Sequence, residues 1–432
     1  GGRVGFSHDR LRAEVLLGLA EDERRGLAAR LAEALRARGA APGETDRGMR
    51  LLWLRQEAGL DVADPHAWRD AFVLGAFRAR QVGDRDAADR FASAALQLAE
   101  AGAGVTYALL LEAAFAAIIR GDDAEARGFA DRMTAYASTP VDRAVAHEMR
   151  VFARRVAGDL DAALEVAREA LAEVGVHAPL KVTPGNLVRA VVRIFAMDPR
   201  RAVTPLPPDR LAVEGPIIRA LNGIGSLLFE RDPLLAVVFA TQSVSPDVAY
   251  GTAAGAGTYT LLSCAVGDYR RAAAWAEASD RLQGAEQPLR AIARQYSSSF
   301  GHVFVQPRRR TRTRGDDMAA LAYAGGDLAV AAYGNRDKVL DSLFGDDALA
   351  ATEAMADEAV QVAERIGDPP TVPHTRALRQ FIKQIREGGA SAWRLDGEFF
   401  DLAASMGALQ AERMANVARA VGSLEALLSV LY

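Results

Sequence analysis

Apolar residues along this chain recur at intervals of three and four and seldom alternate with period two. That spacing gathers them on one face of an α-helix rather than on one side of a strand. Val145, Met149, Phe152 and Val156 form one such stripe. Leu160, Leu164, Ala167 and Leu171 form the next, and Gly158-Asp159 stands between the two. The pattern predicts two amphipathic helices with almost no loop. Glycine just past a helix end takes the left-handed conformation that other residues resist. Aspartate then caps the following helix by accepting from its free N–H groups. So short a connection makes the two helices antiparallel neighbours.

The same unit returns at Gly83-Asp84, Gly121-Asp122 and Gly267-Asp268, and more weakly at Gly326-Asp327. Five residues after each glycine stands an alanine: Ala88, Ala126, Ala163, Ala272 and Ala331. Nine after it stand Ala92, Ala130, Ala167 and Ala276, beside bulkier Phe91, Phe129, Val166 and Trp275. Columns of alanine on an inner face let neighbouring helices approach closely. In the last copy Gly334 and Asn335 interrupt the column. The copies at 83, 121 and 158 are 37 to 38 residues apart, close to the roughly 34-residue period of tetratricopeptide (TPR) repeats. The predicted fold is all-α: a right-handed superhelical array of antiparallel helix pairs, a TPR-like α-α solenoid.

Punctuation divides the chain into a helical segment at 1–40, an N-terminal array at 41–197, a proline-rich break at 198–210 and a C-terminal array at 211–432. Pro179, Pro184, Pro199, Pro205, Pro207 and Pro208 predict irregular packing between the arrays. Gly345-Asp346 and Gly367-Asp368 are expected to end helices. Residues 393–432 are expected to form two or three more. A solenoid closes on a polar helix; "LEALLSVLY" is not one, so the native chain is expected to continue past Tyr432.

The uncharged run from Val248 to Gly267 has the length of a membrane span. Its glycine, alanine, threonine and serine are too weakly apolar for that. A helix buried among helices is expected, with Gly251 and Gly255 admitting a neighbouring backbone. The first thirty residues contain no signal core, and Cys264 is the only cysteine, as suits a reducing cytoplasm. A net charge of −4 lacks the basic excess of a general nucleic-acid binder.

One stretch is more specific. "FSHDRLRAEVLLGLAEDERRGLAARLAEAL" (6–35) resembles the segment that closes the ATPase portion of large bacterial signalling ATPases of the STAND/AAA type, where it leads into a TPR-like region. In many such proteins a serine/threonine kinase lies at one end and a sensor histidine kinase at the other. Phe6, His8, Asp9 and Arg10 match the family's Phe and His-Asp-Arg pattern. Arg24-Arg25 match the start of the next helix, but the histidine usual there is replaced by Ala28 or Ala29. "GDLDAALEVAREALAEVGVHAPL" and "YGTAAGAGTYTLLSCAVGDYRRAAAWAEAS" resemble hairpins of that region. No GxxxxGK[ST] phosphate loop and no kinase motif set occurs. The resemblance thus implies a non-catalytic sensing, protein-interaction and regulatory segment, cytoplasmic, with no cofactor of its own. Its partners would be a protein, a peptide or other domains of the same protein, held in a groove lined by the first helix of each hairpin. His8, Asp9 and Arg10 would dock on the ATPase. Two alternatives stay open: the TPR-like segment of an ATP-dependent transcription regulator, and an α/α-ring enzyme. The alanine after each Gly-Asp disfavours the enzyme.

Other candidates are weaker chemistry. Arg308, Arg309, Arg310, Arg312 and Arg314 form a basic run able to hold phosphate or an acidic partner; no aromatics interleave it, as single-strand binding would need. The histidines never pair at helical spacing, and no metal site is expected. Asp122-Asp123, Asp316-Asp317 and Asp346-Asp347 fall at helix starts, where the dipole favours negative charge. The tryptophans are expected to pack.

Overall fold

A computed structural model describes residues 20–37, 51, 54–55, 58, 64–81, 85–157, 159–177, 179, 181–202, 204–282, 289–304, 317–322, 328–345, 347–366, 370–388, 394–411 and 415–431. Among these the regular structure is entirely helical, without a strand, and the helices pack in neighbouring pairs as an all-α, solenoid-like array. The chain divides into two compact units, Gly1–Arg132 and Met133–Tyr432.

In the first unit, α1 (Glu21–Ala37) buries Ala28 and Ala32 with Leu51 and Leu54. Helices α2 (Pro65–Gln81) and α3 (Arg85–Leu98) pack along each other, and α4 (Tyr107–Arg120) joins them. Phe72, Ala76, Ala88, Phe91, Ala92 and Leu109 share their core. Thr106 caps α4 by accepting from Leu109 N at 3.2 Å. An ion pair is buried here: Arg80 Nε and Nη2 donate to Glu112 Oε2 and Oε1 at 3.0 and 2.9 Å, with the guanidinium 4.0 Å from the Phe115 ring centroid. Helix α5 (Asp123–Tyr136) begins after Gly121-Asp122.

The second unit continues through α6 (Pro140–Val156), α7 (Leu160–Glu173), α8 (Pro184–Ala196), α9 (Pro208–Arg231), α10 (Pro233–Ser243) and α11 (Pro246–Gly251). After these come α12 (Ala253–Ala265), α13 (Tyr269–Leu282) and α14 (Arg290–Phe300), then α15 (Leu328–Leu343), α16 (Leu349–Ile366) and α17 (Thr371–Glu387), and finally α18 (Leu402–Ala411) and α19 (Ala415–Leu431). Three cores follow in chain order. The first joins α6, α7, α9 and α10; the second centres on α12, α13 and α14; the third runs from α15 to α19. Helix α19 packs on α17 and also meets α9, so this unit turns back on its own earlier part.

The Gly-Asp units work as the sequence predicts wherever they are described. Gly121 and Gly267 are left-handed, at φ 77° and 80°. The N–H groups after them, on Asp122 and Asp268, return to Ala117 O and Ser263 O at 2.9 Å, closing the last helical turn. Asp122, Asp159 and Asp268 accept from Glu125 N, Ala162 N and Arg271 N at 3.0 to 3.1 Å. Ala88, Ala126, Ala163, Ala272 and Ala331 are all buried, and so are their partners at position nine. Asn335 does not break the last column: its side chain donates to Ala331 O at 2.9 Å within the same helix. Trp275 is fully buried against Tyr259, with ring centroids 5.1 Å apart.

Three expectations are corrected. The run 248–267 is buried but is two helices, α11 and α12, divided at extended Thr252 (φ −130°, ψ 143°). Thr252 Oγ1 accepts from Gly255 N at 2.9 Å and donates to Val248 O at 2.9 Å. Gly251 and Gly255 do admit backbone, but not that of another long helix. Leu206 N donates to Gly251 O at 2.8 Å, and a Cβ on Gly255 would lie 2.3 Å from Val248 O. The prolines of the supposed irregular stretch are partly helix starters: Pro184 and Pro208 open α8 and α9, where a missing N–H costs nothing. Finally, Val145 and Phe152 are half-buried while Ala144, His147 and Val151 are buried. The reason is that α6 packs against both α7 and α9, closing a second face. Glu148 accepts both Nε and Nη2 of Arg219 on α9 at 2.6 Å.

No helix among the described residues is long and apolar enough to cross a membrane. Two stability outcomes follow from this packing. Ala163→Leu forces bulk into a closed contact and should lose about 1–3 kcal/mol in urea unfolding. Ala172→Leu, on the exposed side of the same helix, should stay within about 0.5 kcal/mol of the parent. Glu112→Ala strands Arg80 in the interior and should cost about 3–5 kcal/mol; replacing both partners by apolar residues should recover most of it.

Candidate functional site

The sequence-predicted sites Arg308, Arg309, Arg310, Arg312 and Arg314, and His8, Asp9 and Arg10, lie outside the described residues. Among the described residues no group of three or more His, Cys, Asp or Glu is arranged to hold a metal. Two histidines are buried against carboxylates: His147 Nε2 lies 3.0 Å from Glu173 Oε1, and His302 Nε2 lies 2.9 Å from Asp280 Oδ2. Ser297 is nearby, but its hydroxyl donates to Asp280 at 3.4 Å and to Arg294 O at 3.3 Å. A nucleophile must be hydrogen-bonded to its base, and here the serine is turned to the acid instead. Burial pushes the Cys264 thiol above its ordinary pKa, away from the thiolate form that reacts.

A cavity in the second unit is a different kind of site. Its volume is about 320 Å³, within the range of small-molecule pockets. It is walled by α9, α10, α12 and α14 and by the turn that follows α7. It lies on the seam between two cores: Leu171, Ile217 and Phe239 belong to one, and Ile218, Leu262 and Ile292 to the other.

On α9 the lining falls at Arg210, Glu214, Ile217, Leu221, Gly225 and Phe229, one helical stripe. Nineteen residues separate its ends, a span of about 28 Å at 1.5 Å per residue. Lining along that length makes the cavity an elongated channel beside α9.

Polar groups stand at two levels of this channel. At one end Arg210 Nε donates to Glu214 Oε1 at 2.9 Å, and Nη1 to Asp247 Oδ2 at 3.3 Å. This bridge ties α9 to α11. The hydrogen-bonded Glu214 carboxylate, with Asp247 behind it, holds the Arg210 guanidinium above its ordinary pKa. Midway along, the Tyr296 hydroxyl donates to Asn222 Oδ1. Of the remaining hydroxyls, Ser243 donates to Phe239 O at 2.7 Å and Thr258 to Ala254 O at 3.0 Å, while Ser245 accepts from Val248 N at 3.3 Å. No histidine, cysteine or lysine is among the described lining residues. The arrangement can bind and orient; it presents no activated nucleophile.

Sequence reasoning missed this site. Its residues are scattered from Leu171 to Tyr296 and read as ordinary core. The available signal was in α9, where Asn222 and Gly225 interrupt the apolar residues that follow Glu214 on the stripe. No protein-family model matches the chain, and no curated protein matches it.

Outside the cavity, His374 on α17 supplies a pH-dependent element. Its ring keeps some exposed surface, but burial, followed by the Arg336 charge, pushes its pKa from 6.5 to about 3. The folded chain therefore holds it neutral, whereas the unfolded chain protonates it below pH 6.5. Its contribution is fully present above that value and is lost as pH falls toward 3. Thermal unfolding should show a stability loss of about 1–2 kcal/mol between pH 7 and 5, and His374→Gln should remove that part of the slope.

Proposed function

We propose that this chain is a non-catalytic, TPR-like helical scaffold that senses by binding. It would be the interaction and regulatory segment of a bacterial ATPase-linked signalling protein of the kind that residues 6–35 resemble. The observation that carries the binding reading is the channel between two cores, lined by apolar side chains and by hydroxyls that already have partners. A molecule seated there touches helices of both cores at once. It therefore favours the arrangement in which the two fit around it, and its effect is limited by its differential affinity for that arrangement. The alanine columns on either side pass the shift along as movement of whole helices, since packed interiors compress little.

The purified chain tests this. Incubated with a mixture of small metabolites and then separated by size, it should retain molecules that mass spectrometry recovers chemically unchanged. Their binding should slow amide hydrogen exchange in α9 and α10 and also in α12 and α14. A product of altered mass, formed in proportion to the protein, would show an enzyme instead and overturn the scaffold reading.

A further inference from the structure

We propose that the channel takes an uncharged, mainly aliphatic molecule carrying one hydrogen-bond-accepting oxygen, a hydroxyl or carbonyl, which the side-chain amide of Asn222 recognises. This rests on the scaffold reading and adds the chemistry of the ligand.

Three observations lead there. The first is shape. A cavity lined along some 28 Å of α9 suits a flexible chain, and its walls are mostly branched aliphatic and aromatic side chains.

The second is charge. The charged residues of the lining are Arg210, Glu214 and Asp247, and they are already bonded to one another with one negative charge in excess. An anionic headgroup would meet that excess at one end and an apolar wall elsewhere, where burying an unpaired charge is costly. A neutral molecule meets neither penalty.

The third is the pair of unusual residues in α9. Asn222 accepts from Tyr296 through Oδ1, which leaves the two N–H donors of its amide nitrogen for another group. An acceptor oxygen on the ligand completes the set. One turn further on, a Cβ added to Gly225 would meet nothing within 4 Å, as at Gly215 on the same helix, but of the two only Gly225 lines the cavity. The contrast is with Gly257 on α12, where an added Cβ would lie 3.1 Å from Tyr296 Cβ, so that close packing explains the glycine. Glycine inside a helix costs about 0.5–1 kcal/mol relative to alanine. At position 225 no neighbour requires it; what its missing side chain leaves is room in the channel.

The test uses 1-decanol as probe and decanoate as its charged counterpart, with isothermal titration and thermal unfolding of the whole chain. One decanol per chain should bind and raise Tm, and decanoate should bind at least tenfold more weakly. Gly225→Leu should fold, with Tm equal to or above the parent, and lose decanol binding at least tenfold. Gly225→Ala gives a smaller loss and serves if the leucine variant fails to fold. Asn222→Leu should weaken decanol several-fold, in line with one lost hydrogen bond, and narrow the difference between decanol and a plain alkane. Equal decanol binding by parent and folded Gly225→Leu, or decanoate binding more tightly than decanol, overturns this proposal and leaves the scaffold reading standing. Conversion of decanol to an aldehyde or ester overturns the scaffold reading instead.

Discussion

Helices in this protein come close because one of each pair presents almost no side chain at the contact. Ala163 and Ala167 in α7, and Ala272 and Ala276 in α13, are essentially without exposed surface. Gly301 carries the idea to its limit: an added Cβ would lie 2.4 Å from Ala276 Cβ. Dispersion attraction falls away over fractions of an ångström, so these narrow contacts hold only while the column stays small. Bulk is displaced to the flanks, where Trp275 and Val166 fill the space that the alanines leave. The seam between cores, and with it the channel, exists because each stack is already closed within itself.

Polar chemistry serves the ends and crossings of helices rather than a reaction centre. Thr139, Thr183, Asp232 and Ser245 each cap a helix whose next residue is a proline, pairing a side-chain acceptor with a residue that lacks the N–H a cap would otherwise have to satisfy. In the third core Arg379 forms an ion pair with Glu353 at 2.8 Å and lies over Phe399, while Gln384 and Gln380 donate to Asp396 O at 3.0 and 3.3 Å. These bonds fasten a non-helical segment to α17, much as Leu206 is fastened to Gly251.

Where a local rule governs a position, the sequence could be read. Gly121, Gly267 and the aspartates after them behave as their neighbours dictate, and the alanine columns follow from spacing alone. The reading failed where the deciding contact is distant. The break in the 248–267 run hangs on Thr252, whose bonds to Val248 O and Gly255 N lie within the run, while the partner of Gly251 O, Leu206, stands more than forty residues earlier. The buried face of α6 was misjudged because half of it is covered by α9, more than fifty residues later. The channel escaped for the same reason: a cavity is made by residues failing to meet, and no periodicity records that. Asn222 and Gly225 were the local trace of it, legible only as exceptions on an apolar stripe.

Helix α9 contains Pro216, two residues beyond the carboxylate that holds Arg210. Proline supplies no N–H to the carbonyl four residues back and crowds it as well, so the wall is weakest between its ion-paired first turns and the stretch from Asn222 to Phe229. Bending compliance is thereby concentrated next to the polar end of the lining, while the close-packed columns of the neighbouring helices have no such interruption.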